Sequence, residues 1–435
     1  MKPNIILINI DDLGWVDLSY NGSGYYETPH IDKLHSQGIS FPKGYASAAN
    51  SAPSRATMLS GLYSPKHGVY TVGTSARGKA ADRNLTPVTN SEFLPDNSVT
   101  LPMALQKAGY TTCHIGKWHV GEDPLTQGID VNIAGNRTGS PRGGHFAPYK
   151  NPNLKNGPNG ECLTTRLGHE AVNYINASSD KKPFFLYYAP YTVHMPIQAS
   201  KSLIEKYKKK EKTKAHNNPT YAAMIEAMDN TVGMIMDAIE ARGISERTVI
   251  VFTSDNGGVY PISKQWPLRA GKGSFYEGGI RVPFIISQKG VFEGGKTYDV
   301  SVTQLDLFPT FMEMVGGVDL PQKLDGVSLL PLLTSGNTKA VEDRAIYWHF
   351  PAYLENGNIE SKDTIFRSRP VSVIQQNNWK LIENYEDGSL ELYDLIADPS
   401  EKTDMSKTED KRTKSLYKKL NKWKKEVKAA LPTAK

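Results

Sequence analysis

Short runs of apolar residues, many of them β-branched, recur along the chain and end in polar turns. Residues 4–10 and 248–254 are two such runs. The pattern is typical of parallel strands buried on both faces of a sheet. Elsewhere the spacing becomes helical, as in residues 221–242, where Gly243 marks the stop. The apolar face of that predicted helix consists of Met224, Ile225, Met228, Val232, Ile235 and Ile239.

Strand and helix patterns alternate to about residue 335, after which strand patterns dominate. The alternation predicts a mostly parallel sheet flanked by helices. The later runs predict a small antiparallel sheet. They lie at residues 345–350, 371–374, 379–382 and 390–395.

The C-terminal tail has apolar residues at helical spacing, namely Leu416, Leu420, Trp423 and Val427. This spacing predicts an amphipathic helix that docks on the body of the protein. Contact with a sulfated polymer or a membrane surface is the alternative use of its basic face.

We therefore expect an α/β fold with a large mixed, mostly parallel sheet flanked by helices, and a small C-terminal antiparallel sheet with a packed helix. The predicted domains are residues 1–340 (α/β) and 341–435 (α+β).

Polar side chains follow two of the predicted buried strands. Asp11 and Asp12 end the first run, and Asp255 and Asn256 end the run at 248–254. Open α/β sheets place their ligands at the carboxyl ends of strands. Adjacent carboxylates are costly unless a cation neutralises them, although a polar turn with a helix N-cap would also explain the first pair. The all-oxygen set favours Ca²⁺, with Mg²⁺ as second choice.

Basic residues and histidines follow other predicted strands. Lys117 and His119 are two apart, so on an extended segment they point to the same side. His194 follows an apolar run at 183–189, and Lys272 lies between two glycines that allow an anion close to the backbone. The alternatives without a functional role are that Lys117 is a solvated surface lysine and that His194 is an ordinary histidine in a turn. The spacing around Lys272 does not match a phosphate-binding P-loop.

The segment Ser51-Ala52-Pro53-Ser54-Arg55 resembles the maturation and active-site signature of type I sulfatases, in the alkaline phosphatase superfamily. In that family the first residue is oxidised to formylglycine, an aldehyde that hydrates to a gem-diol nucleophile. A serine there resembles bacterial members that are substrates of a radical-type sulfatase-maturating enzyme. Further segments match in family order: 116–119, 194–196, 271–273 and 324–331.

The resemblance implies a role for each candidate residue. One divalent cation would be held by the four oxygen-bearing residues and by converted Ser51. Lys117 and Lys272 would hold the sulfate, and Arg55 would orient the diol. His119 would act as the base at the diol, and His194 would protonate the leaving oxygen. These residue types suit a reaction that builds negative charge on sulfate and leaving-group oxygens.

The implied activity is hydrolysis of sulfate monoesters, on a terminal sulfated sugar of a glycosaminoglycan or an algal polysaccharide. A galactose-type sugar is the first expectation, in a bacterial enzyme of polysaccharide degradation. Two alternatives are a phosphoester or phosphonate hydrolase of the same superfamily and a non-catalytic protein that binds sulfated glycans. Proteins bind sugars by stacking them on aromatic rings and by hydrogen bonds from side chains with several polar atoms. We therefore expect substrate contacts from His67, Arg77, Arg142, His145, Trp266 and His349.

Charge and hydropathy limit the classes of binding partner that we expect. Of the formal net charge of +6, residues 411–435 contribute +9, which leaves −3 for the rest. Nucleic-acid binding is therefore not expected. No run approaches the ~20 apolar residues of a membrane span. Because relatives in the resembled family are mostly exported, we expect a periplasmic or secreted protein whose signal peptide has been removed. Cys113 and Cys162 are too few to define a redox framework.

Overall fold

The first apolar run forms strand β1 (Asn4–Ile10) at the centre of the main sheet. The structure is a computed structural model and describes residues 2–435. The other strands are β2 (Ile39–Ser40), β3 (Gly44–Tyr45), β4 (Leu85–Thr86), β5 (Thr111–Gly116), β6 (Val131–Ile133), β7 (Phe184–Ala189), β8 (Thr248–Ser254), β9 (Phe284–Ser287), β10 (Lys296–Thr297), β11 (Val302–Thr303), β12 (Ala345–Phe350), β13 (Leu354–Glu355), β14 (Phe366–Ser368), β15 (Val371–Gln376), β16 (Trp379–Asn384), β17 (Leu390–Asp394) and β18 (Thr433–Ala434).

Helices follow most of the strands of the main sheet, as the alternation of patterns predicted. They are α1 (Pro29–Gln37), α2 (Ser51–Ser60), α3 (Ser64–His67), α4 (Leu101–Lys107), α5 (Leu163–Ala177), α6 (Lys201–Lys208), α7 (Pro219–Ala241), α8 (Glu277–Ile280), α9 (Leu307–Met314), α10 (Leu330–Ser335) and α11 (Asp410–Glu426).

The main sheet has the strand order β10-β2-β9-β8-β1-β7-β5-β6. All neighbouring pairs are parallel except those that β9 makes with β2 and β8. The predicted mixed, mostly parallel sheet is thus confirmed. Since β1 and β8 pair in parallel to their last residues, the chain leaves both strands at the same edge of the sheet.

Alternate side chains of β1 face two separate cores. Ile6 and Ile8 pack with residues of α5 and α7, whereas Ile5 and Leu7 pack with residues of α2, α4 and α9. The sheet is therefore covered on both sides, which explains why its central strands are apolar throughout.

Helix α7 matches its prediction closely. The Asn218 side chain accepts hydrogen bonds from the backbone N–H groups of Thr220 and Tyr221, which caps the helix. Gly243, two residues beyond the end, has φ +64°. All six predicted apolar positions of the helix are buried against the sheet.

The C-terminal strands form the antiparallel sheet β12-β15-β16-β17. One face packs on α11, where Trp423 stacks on Tyr347 with ring centroids 4.6 Å apart. The other face packs against Tyr45, Phe275 and Tyr276 of the preceding part of the chain. The division near residue 340 stays a prediction, since this packing crosses it. Among residues 2–435, no helix combines the length and apolarity needed to cross a membrane.

Candidate active site

Four oxygen-bearing side chains meet where β1 and β8 end. Asp11 and Asp12 lie beside Asp255 and Asn256, and each of the four is at most 1% exposed. The Asp12 backbone N–H donates to Asp255 Oδ1 over 3.2 Å, and Asn256 Nδ2 donates to Asp12 Oδ1 over 2.9 Å. The structure therefore brings together the two polar pairs that the sequence pattern singled out.

Helix α2 presents its first residue, Ser51, to this cluster. Ser51 Oγ lies 3.4 Å from Asp11 Oδ1 and 3.3 Å from Asn256 Oδ1. Arg55 follows one turn later on the same face of the helix. Its Nε donates to Asp255 Oδ2 over 2.8 Å, and its Nη1 donates to the Lys117 carbonyl over 2.7 Å. The helix thus fixes the serine and an arginine on the same cluster of oxygens.

Two lysines approach the carboxylates from different segments. Lys117 Nζ lies 2.8 and 2.9 Å from the two carboxylate oxygens of Asp11. Lys272 Nζ lies 2.6 Å from Asp12 Oδ1 and 2.7 Å from Oδ2. The adjacent negative charges are therefore balanced by one ammonium each, as a buried cluster requires.

The cations keep two of the carboxylates ionised. Burial acts to raise the pKa of Asp12, but Lys272, with help from His194 and Lys117, outweighs burial and holds that pKa below its ordinary value. Burial likewise opposes ionisation of Asp255, and Arg55 and Lys117 lower its pKa overall. Both carboxylates are thus charged at neutral pH.

The backbone that follows β5 is not extended, in contrast to the prediction from the sequence. Gly116 has φ +108°, and a Cβ there would lie 2.0 Å from the Ala189 carbonyl oxygen, so only glycine fits. His119 has φ +65°, in the left-handed region. Lys117 and His119 therefore do not lie on an extended strand whose alternate side chains point the same way. The prediction based on that alternation was wrong. A turn brings both of them to the site instead.

His119 is held in its neutral form. Burial and the neighbouring cations Lys117 and Arg55 lower its pKa well below the ordinary histidine value. Its Nδ1 has no hydrogen-bond partner within residues 2–435. Gly139 lies against the ring, and a Cβ at that position would lie 2.3 Å from His119 Cε1. The ring is thus fixed in a tight space, and its Nδ1 is not committed to a hydrogen bond within the protein.

His194 lies close to Asp12. Its Nε2 is 3.8 Å from Asp12 Oδ2, and its Nδ1 is 2.8 Å from the Met195 carbonyl oxygen. The side chain is 21% exposed, so a substrate can reach it. His145 Nε2 lies 2.8 Å from the His194 carbonyl oxygen and holds this turn in place. His145, which was predicted to contact the substrate, thus supports the backbone at His194.

Two other predicted substrate contacts are interior residues. His67 is 2% exposed. Its Nε2 forms a hydrogen bond with the Thr57 hydroxyl, and its Nδ1 accepts one from the Val69 N–H. His349 is 4% exposed and places its ring nitrogens on the Ser372 hydroxyl and the Ala430 carbonyl. Neither histidine has a nitrogen left for a sugar, so the structure contradicts both expectations.

The remaining three expected contacts reach the surface. Arg77 pairs with Glu355 through Nε at 3.0 Å and Nη2 at 2.6 Å. Arg142 is exposed, and Trp266 is 41% exposed with Lys264 Nζ 4.5 Å from its ring centroid. Their role as substrate contacts stays a prediction.

Several residues of the site region carried no signal in the sequence. Gln304 Nε2 donates to the Ser254 carbonyl, and its Oε1 accepts from the Ser54 hydroxyl, which ties α2 to the end of β8. The Tyr187 hydroxyl accepts from Arg55 over 3.3 Å. Arg367, from the hairpin β13–β14, packs against the glycine that follows Lys272. Contacts of this kind join distant parts of the chain and leave no local pattern.

The donor set fits a hard divalent cation. Asp11, Asp12 and His194 each offer one ligand atom, and these three atoms lie within 4.8 Å of one another. The carboxylate of Asp255 and the amide oxygen of Asn256 border the same space. Carboxylate and amide oxygens are the ligands that Ca²⁺ and Mg²⁺ prefer.

Comparison with known proteins identifies the family. Residues 3–318 match the Sulfatase family, and residues 271–429 match the C-terminal region of N-sulphoglucosamine sulphohydrolase. A sulfatase of Formosa agariphila is 34% identical, over 97% of this chain and 87% of its own length. Human N-acetylgalactosamine-6-sulfatase is 30% identical, over 80% of this chain and 68% of its own length.

A solved structure supports the same assignment. The crystal structure of Ps i-CgsB in complex with k-i-k-neocarrahexaose superposes with a TM-score of 0.79 and 30% identity, over 97% of this chain and 93% of that one. The fold therefore places the protein in the alkaline phosphatase-like superfamily. Within it, the chain belongs to the sulfatase family and is a sulfuric ester hydrolase.

Proposed function

We propose that this sulfatase removes sulfate from a terminal sulfated sugar, with a formylglycine formed from Ser51. The observation that carries the proposal is the position of Ser51 Oγ, which faces Asp11 and Asn256 at the start of a buried helix. A radical-type sulfatase-maturating enzyme would convert the serine. Once converted, the hydrated aldehyde supplies a nucleophile and a route for releasing sulfate that an unmodified serine lacks.

We propose Ca²⁺ as the cation, with Mg²⁺ as second choice. Asp11, Asp12, Asp255 and Asn256 would hold it, together with converted Ser51. Such an ion supplies positive charge next to a sulfate oxygen. The mixed carboxylate and amide donors support Ca²⁺, which accepts flexible sets of oxygen ligands more readily than Mg²⁺ does.

The cationic side chains would bind the sulfate and stabilise the charge that develops on its oxygens. Lys117 and Lys272 flank the cluster, and their ammonium groups are fixed by Asp11 and Asp12 before any substrate arrives. Charges that are positioned in advance need no reorganisation during the reaction. Arg55 anchors the start of α2 through Asp255 and so orients the nucleophile.

Two histidines would handle protons. Neutral His119, with a free Nδ1, would accept a proton from the nucleophile. His194 would donate a proton to the sugar oxygen as the bond between sulfur and oxygen breaks. Its side chain is 21% exposed, which supports a role where the leaving sugar would pass to solvent. Histidine suits both tasks because its ring has two nitrogens, one of which can donate a proton while the other can accept one.

The sugar is proposed to be galactose-type, from a glycosaminoglycan or an algal polysaccharide. Support comes from two similar proteins, one named N-acetylgalactosamine-6-sulfatase and one solved with a neocarrahexaose. A periplasmic or secreted location would suit a polymeric substrate of this kind. Arg77, Arg142 and Trp266 remain proposed contacts with the sugar.

The first experiment weighs the peptide that carries residue 51, from protein made in an anaerobic host with a maturase. Loss of the two hydrogens removed by oxidation is the expected result. The converted enzyme should then hydrolyse an aryl sulfate far faster than an aryl phosphate, whereas Ser51→Ala should hydrolyse neither. Faster hydrolysis of the phosphate by the converted enzyme would instead support a phosphoester hydrolase. Converted protein that hydrolyses no sulfate ester would contradict the proposal.

A further inference from the structure

Arg367 is a cation beside the catalytic cluster that the proposed reaction does not use. It lies on β14, in the hairpin with β13, and its Cδ would be 3.0 Å from a Cβ placed on Gly273. Gly273 directly follows Lys272, which pairs with Asp12. The aliphatic stem of Arg367 therefore lies on the backbone that holds a catalytic lysine, and its guanidinium lies close to that site.

The Arg367 guanidinium has no acidic partner within 4 Å among residues 2–435, and its one hydrogen bond runs from Nε to the Asn356 carbonyl over 3.2 Å. Neighbouring arginines behave differently. Arg77 is paired with Glu355, and Arg369 is paired with both Asp363 and Glu386. Arg77 and Arg369 are thus fixed by carboxylates, whereas the Nη groups of Arg367 make no hydrogen bond within residues 2–435.

The electrostatic surroundings agree with this geometry. Partial burial lowers the pKa of Arg367, and the charges of Asp12 and Glu355 oppose that shift while Arg77 adds to it. Asp12 is thus close enough for its charge to act on the guanidinium. A partly desolvated guanidinium with unused donors binds an anion more strongly than a fully hydrated one does.

Arg367 also borders a cavity of about 540 Å³. Ser274, Lys362 and Asn384 also line it. The carboxylates of Glu391 and Glu386 line it as well, and they pair with Lys362 and Arg369 respectively. The volume is in the range of pockets that bind small molecules. Arg367 thus packs on the backbone next to Lys272 and also lines this cavity. A substrate whose scissile sulfate reaches Lys272 would extend past Arg367 into this cavity.

We propose that Arg367 binds a second anionic group of the substrate, a sulfate or a carboxylate other than the sulfate that is cleaved. The adjoining sugar residue would occupy the cavity. This inference rests on the proposed function and specifies its substrate as a sugar with at least two anionic groups. The planar guanidinium suits either anion, because it can donate two parallel hydrogen bonds to two oxygens.

The test measures binding in the Ser51→Ala background, where no ligand is turned over and conversion of residue 51 is not needed. The ligands are N-acetylgalactosamine 6-sulfate, N-acetylgalactosamine 4,6-disulfate and an unsaturated uronate disaccharide with one 6-sulfate. Arg367→Gln is expected to weaken binding of at least one doubly anionic ligand by about 10- to 100-fold, the range for hydrogen bonds to charged groups. Binding of the monosulfate should change less than about threefold, since Arg367 contacts no group of it.

Two controls guard against indirect effects. Arg412→Gln removes the same charge from an exposed site on α11, next to Trp379, and should leave all three affinities unchanged. Thermal unfolding reports whether Arg367→Gln is folded. If it is not, Arg367→Lys keeps the charge and loses the planar fork, and it should weaken the doubly anionic ligands selectively.

The outcomes separate the two proposals. Selective loss with the disulfate identifies a sulfate as the second anion, and selective loss with the disaccharide identifies a carboxylate. Equal loss with all three ligands, no loss with any, or no binding of either doubly anionic ligand overturns the inference. Converted enzyme that hydrolyses no sulfate ester would refute the proposed function, even where Ser51→Ala protein still shows binding that depends on Arg367.

Discussion

Arg55 Nε donates to Asp255 Oδ2 over 2.8 Å, and both side chains are completely buried. The bond joins the helix that carries Ser51 to the strand end that carries Asn256. Replacing Arg55 with Met keeps most of the volume and leaves Asp255 without its partner. Removing one member of a buried ion pair typically costs about 3–5 kcal/mol. We expect a loss of that size in urea unfolding at pH 7, whereas Arg412→Gln should change stability little.

Divalent cations are expected to stabilise the folded protein by binding at Asp11, Asp12, Asp255 and Asn256. At a free concentration about 100 times Kd, Ca²⁺ should raise the free energy of unfolding by about 2.7 kcal/mol. Chelator should reverse the effect, and Mg²⁺ should give a smaller rise. Asn256→Ala removes one oxygen donor without leaving an unpaired charge. An undiminished response to Ca²⁺ in that variant would argue against Asn256 as a ligand.

His194→Gln should affect poor leaving groups more than good ones. A sugar hydroxyl must be protonated as it leaves, whereas a nitrophenol can leave as its anion. We expect kcat on a sulfated sugar to fall by about 10²–10⁴-fold, the range for general acid catalysis. The loss on nitrophenyl sulfate should be much smaller. His169, an exposed residue of α5, provides the control His169→Gln. Equal losses on both substrates would show that His194 does not protonate the leaving group.

Gly139→Ala is expected to impair catalysis through His119. The new methyl would lie 2.3 Å from Cε1 and 2.6 Å from Nε2 of the ring, so the ring must move. Misplacement of a catalytic group by about 1 Å can cost ~10²-fold in rate. Gly24→Ala is the matched control, since a Cβ there meets nothing within 4 Å. The measurement is kcat on aryl sulfate for both variants, and equal kcat would mean that the position of His119 is not critical.

Stability should depend on pH through a buried lysine that two carboxylates share. Lys380 Nζ lies 2.7 Å from Glu277 Oε1 and 2.7 Å from Glu401 Oε1. Burial raises the pKa of Glu401 to about 7, although Lys380 opposes that shift. The folded protein therefore holds a proton that the unfolded chain releases above pH ~4.3. The contribution of Glu401 to stability is therefore fully present below that pH and is lost as pH rises through about 7.

Glu401→Gln tests this linkage. We expect the wild-type free energy of unfolding to fall by about 1–3 kcal/mol between pH 5 and pH 8 from this group. Glutamine keeps the shape of the side chain and cannot titrate, so the variant should show a flatter profile. Urea unfolding at several pH values gives the comparison. A profile of unchanged slope would assign the dependence to other groups.

The sequence predicted the parts of the site that lie at strand ends. Asp11, Asp12, Asp255 and Asn256 follow runs whose buried-strand pattern is unmistakable, and parallel pairing brings such ends together. Ser51, Lys272 and His194 needed the family resemblance, because their local patterns also fit ordinary turns. His67 and His349 were misjudged because composition does not reveal that both ring nitrogens are satisfied inside the protein.

Arg367 could not be found from the sequence, because its relation to Lys272 arises from packing between segments almost a hundred positions apart. The turn that brings His119 to the site was equally hidden, since it depends on left-handed backbone and on a close approach to Ala189. Strand patterns record burial along one segment. They do not record which distant segment covers it.

The hairpin β13–β14 lies on the chain far from the motifs that perform the chemistry, yet its Leu354 and Arg367 cover Gly273 beside Lys272. In the proposed function, reaction and recognition are thus carried by separate stretches of sequence. Grafting this hairpin from another sulfatase is therefore expected to redirect the enzyme to a different sulfated sugar while the bond-breaking machinery stays as it is. Within this architecture, selectivity can diversify through short exchanges at the periphery.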